Sequence, residues 1–307
     1  MNATALPSIA FLGTGLMGAP MAMRLLHAGY AVTVWNRTTA KASALVEQGA
    51  LLADTPAAAV QDASVVITML DSGPIVAQVM YDARMSLPTS ALVIDMSSTG
   101  QAEAITLARM LRRDERGFID APVSGGVVGA AQGNLAIMAG ASQVDFDFAQ
   151  PLLAHLGRPT RVGGIGCGQL AKLCNQLIVG GTITIVAEAL LLAEAGGADP
   201  AAVRAAIRGG FAESRILEVH GARMLERNFI PGGQVKSQSK DMDNILAAAT
   251  ANGLQLPIAE MVAVVYRAIL PICPSADQSA ALLALEQRNP GHRVGALPDR
   301  LPPIAAE

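Results

Sequence analysis

Cysteine, aromatic residues and blocks of like charge are all scarce in this chain, and each scarcity removes a class of protein. The three cysteines, Cys167, Cys174 and Cys273, are odd in number and form no Cys-x-x-Cys pair. That pattern argues against a disulfide framework or a zinc site, and no metal is expected; a reducing compartment is the natural home. Aromatic residues make up 3% of the chain against 51% hydrophobic residues, so the core must be built from Ala, Leu, Val, Ile and Met. Such a core suits Ala-rich helices packed closely. With a net charge of −3 and no long basic run, nothing in the composition supports nucleic-acid binding. The opening Met1-Asn2-Ala3-Thr4-Ala5-Leu6-Pro7 lacks the basic residues and apolar core of a secretory signal, so a cytoplasmic location is expected. The longest apolar stretch, 176–195, contains Glu188, Glu194, two threonines and paired glycines, and reads as a buried helix of a soluble protein with no membrane partner. No internal repeat of solenoid period is present.

What is present begins with Ile9-Ala10-Phe11-Leu12-Gly13-Thr14-Gly15-Leu16-Met17-Gly18. A short apolar strand runs into a glycine-rich turn and then a helix. In that setting Gly13 permits the tight turn, Gly15 lets a pyrophosphate approach the backbone, and Gly18 lets helix and strand pack closely. The first half alternates apolar runs at 9–13, 31–36, 65–70, 92–96, 118–121 and 135–139 with helical patterns such as 17–28 and 39–47. This alternation predicts βαβ units and a mostly parallel, doubly wound α/β sheet of the Rossmann kind. After about Gly168 the strand-like runs stop, and Ala/Leu-rich helical stretches follow at 169–195, 200–208, 215–226, 240–252 and 257–270. The 307 residues therefore divide into a dinucleotide-binding domain, 1–167, an all-helical domain for substrate and subunit contacts, 168–287, and an irregular or mobile Pro-rich tail, 288–307.

The second predicted strand ends in Asn36-Arg37-Thr38. NAD-preferring folds place an acidic residue here to accept hydrogen bonds from the ribose hydroxyls. A neutral amide, a guanidinium and a hydroxyl suit a 2′-phosphate instead, so NADP(H) is the expected cofactor, with NAD(H) possible. The alternative, that Arg37 is an exposed charge opening a helix, stays open. The four histidines, His27, His155, His220 and His292, are poorly placed for hydride chemistry. Lys172 is the better proton donor, because a helix that is otherwise strongly apolar rarely carries a lysine early on. Asn175 and Gln176 follow at i+3 and i+4 and share its face. The competing reading has Lys172 snorkelling to solvent beside two surface amides. Asp120-Ala121-Pro122-Val123-Ser124-Gly125-Gly126 ends another apolar strand, where open α/β sheets bind ligands. Ser124 and the backbone of Gly125 and Gly126 are candidates for a substrate carboxylate, unless the segment is an ordinary polar loop. Ser239-Lys240-Asp241 is read as opening a late helix.

Four segments in this order resemble the β-hydroxyacid dehydrogenases. They are Phe11 to Met21, Asp120 to Gly126, Gly166-Cys167-Gly168-Gln169-Leu170-Ala171-Lys172-Leu173-Cys174-Asn175-Gln176, and Lys240-Asp241. The likeness spans roughly 9–286. Within the family, Ala206-Ile207-Arg208-Gly209-Gly210 and Glu226-Arg227-Asn228-Phe229-Ile230-Pro231-Gly232 are most similar to the 2-hydroxy-3-oxopropionate (tartronate semialdehyde) reductase branch. The resemblance implies a Rossmann domain, a helical domain of the 6-phosphogluconate dehydrogenase kind, and homodimers or homotetramers formed through the helical domain. It also implies roles. Lys172 becomes the catalytic acid/base. Ser124, Gly125, Gly126, Asn175 and Gln176 line a pocket for a small carboxylate-bearing substrate. Gly13, Gly15, Leu16, Met17, Gly18, Asn36, Arg37, Thr38, Met69, Leu70, Ser98 and Lys240 contact the cofactor. The expected reaction is hydride transfer between a nicotinamide and a short 3-hydroxy acid or aldehyde acid. Succinic semialdehyde reduction, 3-hydroxyisobutyrate oxidation, imine reduction and a non-catalytic cofactor-binding protein are the alternatives. Three segments depart from the family pattern: Asp71 after Met69-Leu70, Val127-Val128-Gly129-Ala130, and the polar run from Gly233 to Gln238.

Overall fold

A computed structural model describes residues 6–303. The chain forms two compact units that part between Lys172 and Leu173. The division falls five residues beyond the boundary expected after residue 167, inside a helix rather than in the loop before it.

The first unit runs β1 (Ile9–Leu12), α1 (Gly18–His27), β2 (Val32–Trp35), α2 (Ser43–Glu47), β3 (Leu51–Leu52), α3 (Pro56–Val60), β4 (Val65–Thr68), α4 (Gly73–Ala83), β5 (Leu92–Asp95) and α5 (Gln101–Arg113). It continues with β6 (Gly117–Asp120), β7 (Val123–Ser124), α6 (Gly126–Gln132), β8 (Leu135–Gly140), α7 (Gln143–Leu153) and β9 (Gly157–Gly163), and then the start of α8 (Cys167–Ala195). The sheet order is β3-β2-β1-β4-β5-β6-β8-β7, with β9 paired to β8. From β3 to β6 the pairs are parallel; β8 runs antiparallel to β6 and β7.

Alternation along each strand sends neighbours to opposite faces. Ile9 and Phe11 of β1 join Met21, Leu25, Ile67 and Ile94 on one side, while Ala10 and Leu12 join Val66, Met80, Val93 and Leu111 on the other. Both faces are covered, which is why these strands read as continuous apolar runs rather than as alternating ones. The mostly parallel Rossmann sheet expected from the sequence is borne out. β9 was not anticipated. Its Gly-Arg-Pro-Thr-Arg-Val-Gly sequence is polar and largely exposed, and Pro159 is tolerated because the strand lies at an edge.

The second unit holds the rest of α8 and α9 (Pro200–Ile207), α10 (Arg215–Leu225), α11 (Val235–Ala251), α12 (Pro257–Ile269) and α13 (Ala281–Arg288). Asp199 caps α9, its carboxylate accepting from Ala201 N at 3.0 Å. One core cluster unites Ile183, Leu190, Met242, Ile245, Tyr266 and Leu282. By length and composition α8 alone among the described residues could cross a membrane, but half of its apolar window is buried inside the structure. α11 begins at Val235, so Ser239-Lys240-Asp241 lies in its second turn; the expected start at 240 is corrected. Val235 N donates to Ala276 O at 2.8 Å, a tertiary anchor that a Gly/Gln-rich run does not advertise. The tail after α13 is irregular but anchored as far as it is described: Val294 is buried, and Asp299 is bonded to the buried Arg227. Residues 1–5 and 304–307 lie outside the described residues.

Candidate active site

The glycine loop between β1 and α1 uses its three glycines differently. Gly13 has φ +105, and a Cβ there would fall on the Met69 carbonyl; one on Gly18 would fall on the Gly13 carbonyl. Both positions are closed by the protein's own backbone. At Gly15 nothing lies within 4 Å of that point, so the loop is open to a ligand there. Met17 gives α1 no side-chain cap, and Thr14 Oγ1 is buried without a hydrogen-bond partner. Leu16 is exposed and Met17 half-buried. An open glycine, an uncapped helix start and an orphaned hydroxyl together fit the pyrophosphate of a dinucleotide.

Asn36, at the end of β2, is used inside the protein. Its Oδ1 accepts from Thr14 N at 3.0 Å and its Nδ2 donates to Thr38 O at 2.9 Å. It ties the glycine loop to the loop after β2. Arg37 and Thr38 are exposed beside it, and the Arg37 guanidinium has no hydrogen bond or ion pair among the described residues.

The loops after β4 and β5 join this corner. Met69 N continues the strand ladder to Leu12 O at 2.9 Å, and Leu70 N donates to Ser97 Oγ at 2.9 Å. Ser98 and Leu70 are half-buried, and Asp71 is exposed. Beneath the loop, Asp95 Oδ1 accepts from Thr68 Oγ1 at 2.8 Å and from Ser97 N at 3.0 Å. Burial pushes the Asp95 carboxyl up to about 6 despite these bonds.

The α8 helix enters the same network through its first turn. Gln169 Nε2 donates to Ser97 O at 2.8 Å, and its Oε1 accepts from Thr99 N at 3.0 Å. Asp120, the last residue of β6, accepts from Gly166 N at 2.7 Å and from Gln169 N at 2.8 Å. Lys172 follows one turn later and is half-buried, rather than fully buried as its sequence context suggests. Ser124 closes the two-residue β7, half-buried and opposite Ala136; Gly125 (φ +139) and Gly126 (φ +64) are exposed in conformations that favour glycine. A Cβ on Gly126 would meet nothing within 4 Å.

Asn175, Gln176 and Lys240 belong to the second unit. Asn175 Nδ2 donates to Gln176 Oε1 at 2.9 Å. Gln176 is buried, and its Nε2 donates to Gln238 Oε1 at 3.1 Å and Asp241 Oδ2 at 2.9 Å. Its amide joins α8 to α11. Lys240 is half-buried, with Nζ 3.8 Å from Asp241 Oδ1. The histidines are engaged elsewhere or exposed: His155 stacks edge-on against Tyr30, His220 meets Asp277, His292 meets Glu194, and His27 ends α1 at the surface. Asp95, Ser97 and Gln169 escaped the sequence reading. A polar residue at a strand end or helix start is a weak signal until its partner, dozens of residues away, is known.

Residues 8–180 match the family model described as the NAD binding domain of 6-phosphogluconate dehydrogenase. Residues 166–285 match that of the NAD-binding region of NADP-dependent 3-hydroxyisobutyrate dehydrogenase. The chain is 40% identical over 253 residues to the 2-hydroxy-3-oxopropionate reductase of Escherichia coli, covering 81% of this chain and 86% of that one. It belongs to the β-hydroxyacid dehydrogenase family. Two further members agree. The 3-hydroxyisobutyrate dehydrogenase of Pseudomonas aeruginosa is 34% identical, with 81% of this chain and 88% of the relative covered. The solved structure of Mycobacterium tuberculosis 3-hydroxyisobutyrate dehydrogenase with L-serine aligns at a TM-score of 0.86 and 29% identity, covering 92% of this chain and 99% of that one. This β-hydroxyacid dehydrogenase is an NAD(P)-dependent oxidoreductase, and the fold and enzyme class expected from its motifs stand.

Proposed function

We propose that this β-hydroxyacid dehydrogenase is an NADP(H)-preferring reductase of a short aldehyde acid, with 2-hydroxy-3-oxopropionate, reduced to glycerate, as the leading substrate. The observation that carries the reading is the continuous chain of contacts from Asn36 through the glycine loop, Met69-Leu70 and Ser97–Thr99 to the first turn of α8. It sets the Lys172 turn beside the loops at the carboxyl ends of the parallel strands, where open α/β sheets take their ligands. The 40% identity to a 2-hydroxy-3-oxopropionate reductase supports the substrate class.

When bound, the nicotinamide supplies hydride to the carbonyl carbon. Negative charge then develops on the carbonyl oxygen, and the Lys172 ammonium holds the proton for it. Ser124 and the Gly125 and Gly126 amides bind the substrate carboxylate, and Asn175 and Gln176 take part in substrate binding. Gly15, Leu16, Met17, Asn36, Thr38, Met69, Leu70, Ser98 and Lys240 would contact the cofactor, Gly13 and Gly18 shape the loop, and Arg37 would meet the 2′-phosphate. The enzyme works in the cytoplasm as a homodimer or homotetramer joined through its helical unit.

Lys172→Ala is expected to lower turnover by about 10²–10⁴-fold, the range of general acid catalysis, while NADPH affinity changes little. Turnover within a few-fold of the parent removes Lys172 as the acid. Arg37→Ala should weaken NADPH much more than NADH in fluorescence titrations; equal losses show that Arg37 does not read the phosphate. A panel of 2-hydroxy-3-oxopropionate, succinic semialdehyde and methylmalonate semialdehyde, each with NADPH and NADH, tests the substrate assignment.

A further inference from the structure

We propose that Asp120 is a positioning residue for Lys172: its buried carboxylate holds the first turn of α8 against the ends of β6 and β8, and sets where the catalytic ammonium stands. This rests on the proposed role of Lys172 as the acid. The residue before α8 is Gly166, with φ +88 and no side chain to cap the helix. The cap comes instead from 46 residues upstream. Both Asp120 oxygens are committed, one to Gly166 N at 2.7 Å and the other to Gln169 N at 2.8 Å. Charge-assisted bonds of this kind are short and directional, and a carboxylate also suits the positive end of the helix dipole.

The surroundings admit no looser arrangement. A Cβ on Gly168 would fall on the Asp120 and Met138 carbonyls, and one on Gly140 would lie 2.7 Å from Gly168 N and crowd the Asp120 carboxylate. Two glycines thus let helix, β6 and β8 meet at backbone distance. From the same turn Gln169 reaches the Ser97–Thr99 loop with both ends of its amide. The Lys172 turn and a loop of the cofactor side are therefore held by one pair of residues, Asp120 and Gln169. No basic side chain is hydrogen-bonded to the Asp120 carboxylate among the described residues.

The test compares Asp120→Asn, Lys172→Ala and the double variant, using 2-hydroxy-3-oxopropionate or whichever semialdehyde of the panel turns over fastest. An asparagine keeps one acceptor but turns an amide NH₂ toward the other N–H. Asp120→Asn is expected to lower kcat about 10–100-fold, with KM and the NADPH dissociation constant within about 3-fold of the parent. In the Lys172→Ala background the same change should cost less than about 3-fold of the residual turnover, because two residues acting as one unit are not additive. An equal loss in both backgrounds, or an unchanged kcat, overturns the proposal. If Lys172→Ala itself retains turnover, the acid assignment fails, and protection of the Gln169 and Lys172 amides from exchange still reports whether Asp120 holds the turn. Should Asp120→Asn not fold, Gly168→Ala displaces the same turn without removing a charge and should reproduce the loss in kcat. A folded Gly168→Ala enzyme with parental kcat counts against the proposal.

Discussion

Asp120 at the end of β6 and Asp277 ahead of α13 are both shielded from solvent, yet their carboxyls move in opposite directions. Burial pushes Asp120 up to about 6, its two backbone hydrogen bonds offsetting only part of the desolvation, and Asp95 adds repulsion. Asp95 faces it in register across the β5–β6 pair and is itself raised to about 6. Burial also opposes ionisation of Asp277, but hydrogen bonds from His220 and Ser279 and the charge of His220 more than offset it, and the carboxyl is held well below the usual range. Gly232 N and Gly233 N add further bonds at 2.9 and 3.3 Å. The same unit buries Arg227 fully, forked onto Glu286 at 2.6 and 2.9 Å and bonded to Asp299 at 2.7 Å. The helical unit thus sets its buried charges against partners of opposite kind. The sheet unit spends buried acids on orienting the loops and the helix start where the chemistry is proposed, and carries them at some cost.

The contrast can be broken most decisively at Arg227. Arg227→Met leaves the half-buried Glu286 without its cation and Asp299 with only the exposed Arg293, and a loss of about 3–5 kcal/mol is expected in denaturant unfolding. Amide protection in 289–303 should fall with it, since Val294 O loses its guanidinium donor and Asp299 keeps only the bond from Arg293. A loss below about 1 kcal/mol would mean that this ion cluster is not a stabilising feature. Next comes Asp277→Asn, expected to destabilise by about 1–3 kcal/mol at pH 7. Because the folded-state pKa is depressed, the stabilisation is present above the ordinary carboxylate range and is lost as pH falls through the folded value. The gap between variant and parent should therefore narrow below about pH 4. A gap independent of pH assigns the effect to packing.

The smallest change, with the opposite sign, is expected for Asp95→Asn. An amide oxygen can keep both Oδ1 bonds, to Thr68 and Ser97. Since the folded-state pKa is raised to about 6, the parent holds this contribution fully only below about pH 4 and loses it as pH rises through 6. Melting temperatures of the variant should equal or exceed those of the parent at pH 7, and their rise between pH 7 and 4 should flatten. A marked drop at pH 7 would place Asp95 in the same class as Asp277 and dissolve the distinction between the units.

Much of this was legible in the chain. The strands from β1 to β6 that carry apolar runs announce themselves because both of their faces are buried. The short β3 and β7 and the polar β9 do not, because each is a strand only by virtue of its neighbour. Gly13 and Gly18 were readable as backbone requirements, and the structure names the carbonyls that demand them. The motif around Lys172 was visible, whereas the bonds that join Gln176 to α11 were not. The bonds from the Asn36 amide to Thr14 and Thr38 were not legible either.

By itself the sequence determined the strand–turn–helix opening, the change from sheet to helices, the family and the enzyme class. These depend on periodicity, glycine conformation and ordered motifs, all of which are local in the chain. The use made of Asp120, Gln169, Gln176 and Arg227 was decided only by tertiary structure. Each bonds to partners 46 to 72 residues away. What a buried polar group does depends on which donors and acceptors the fold brings to it, and sequence spacing does not encode that.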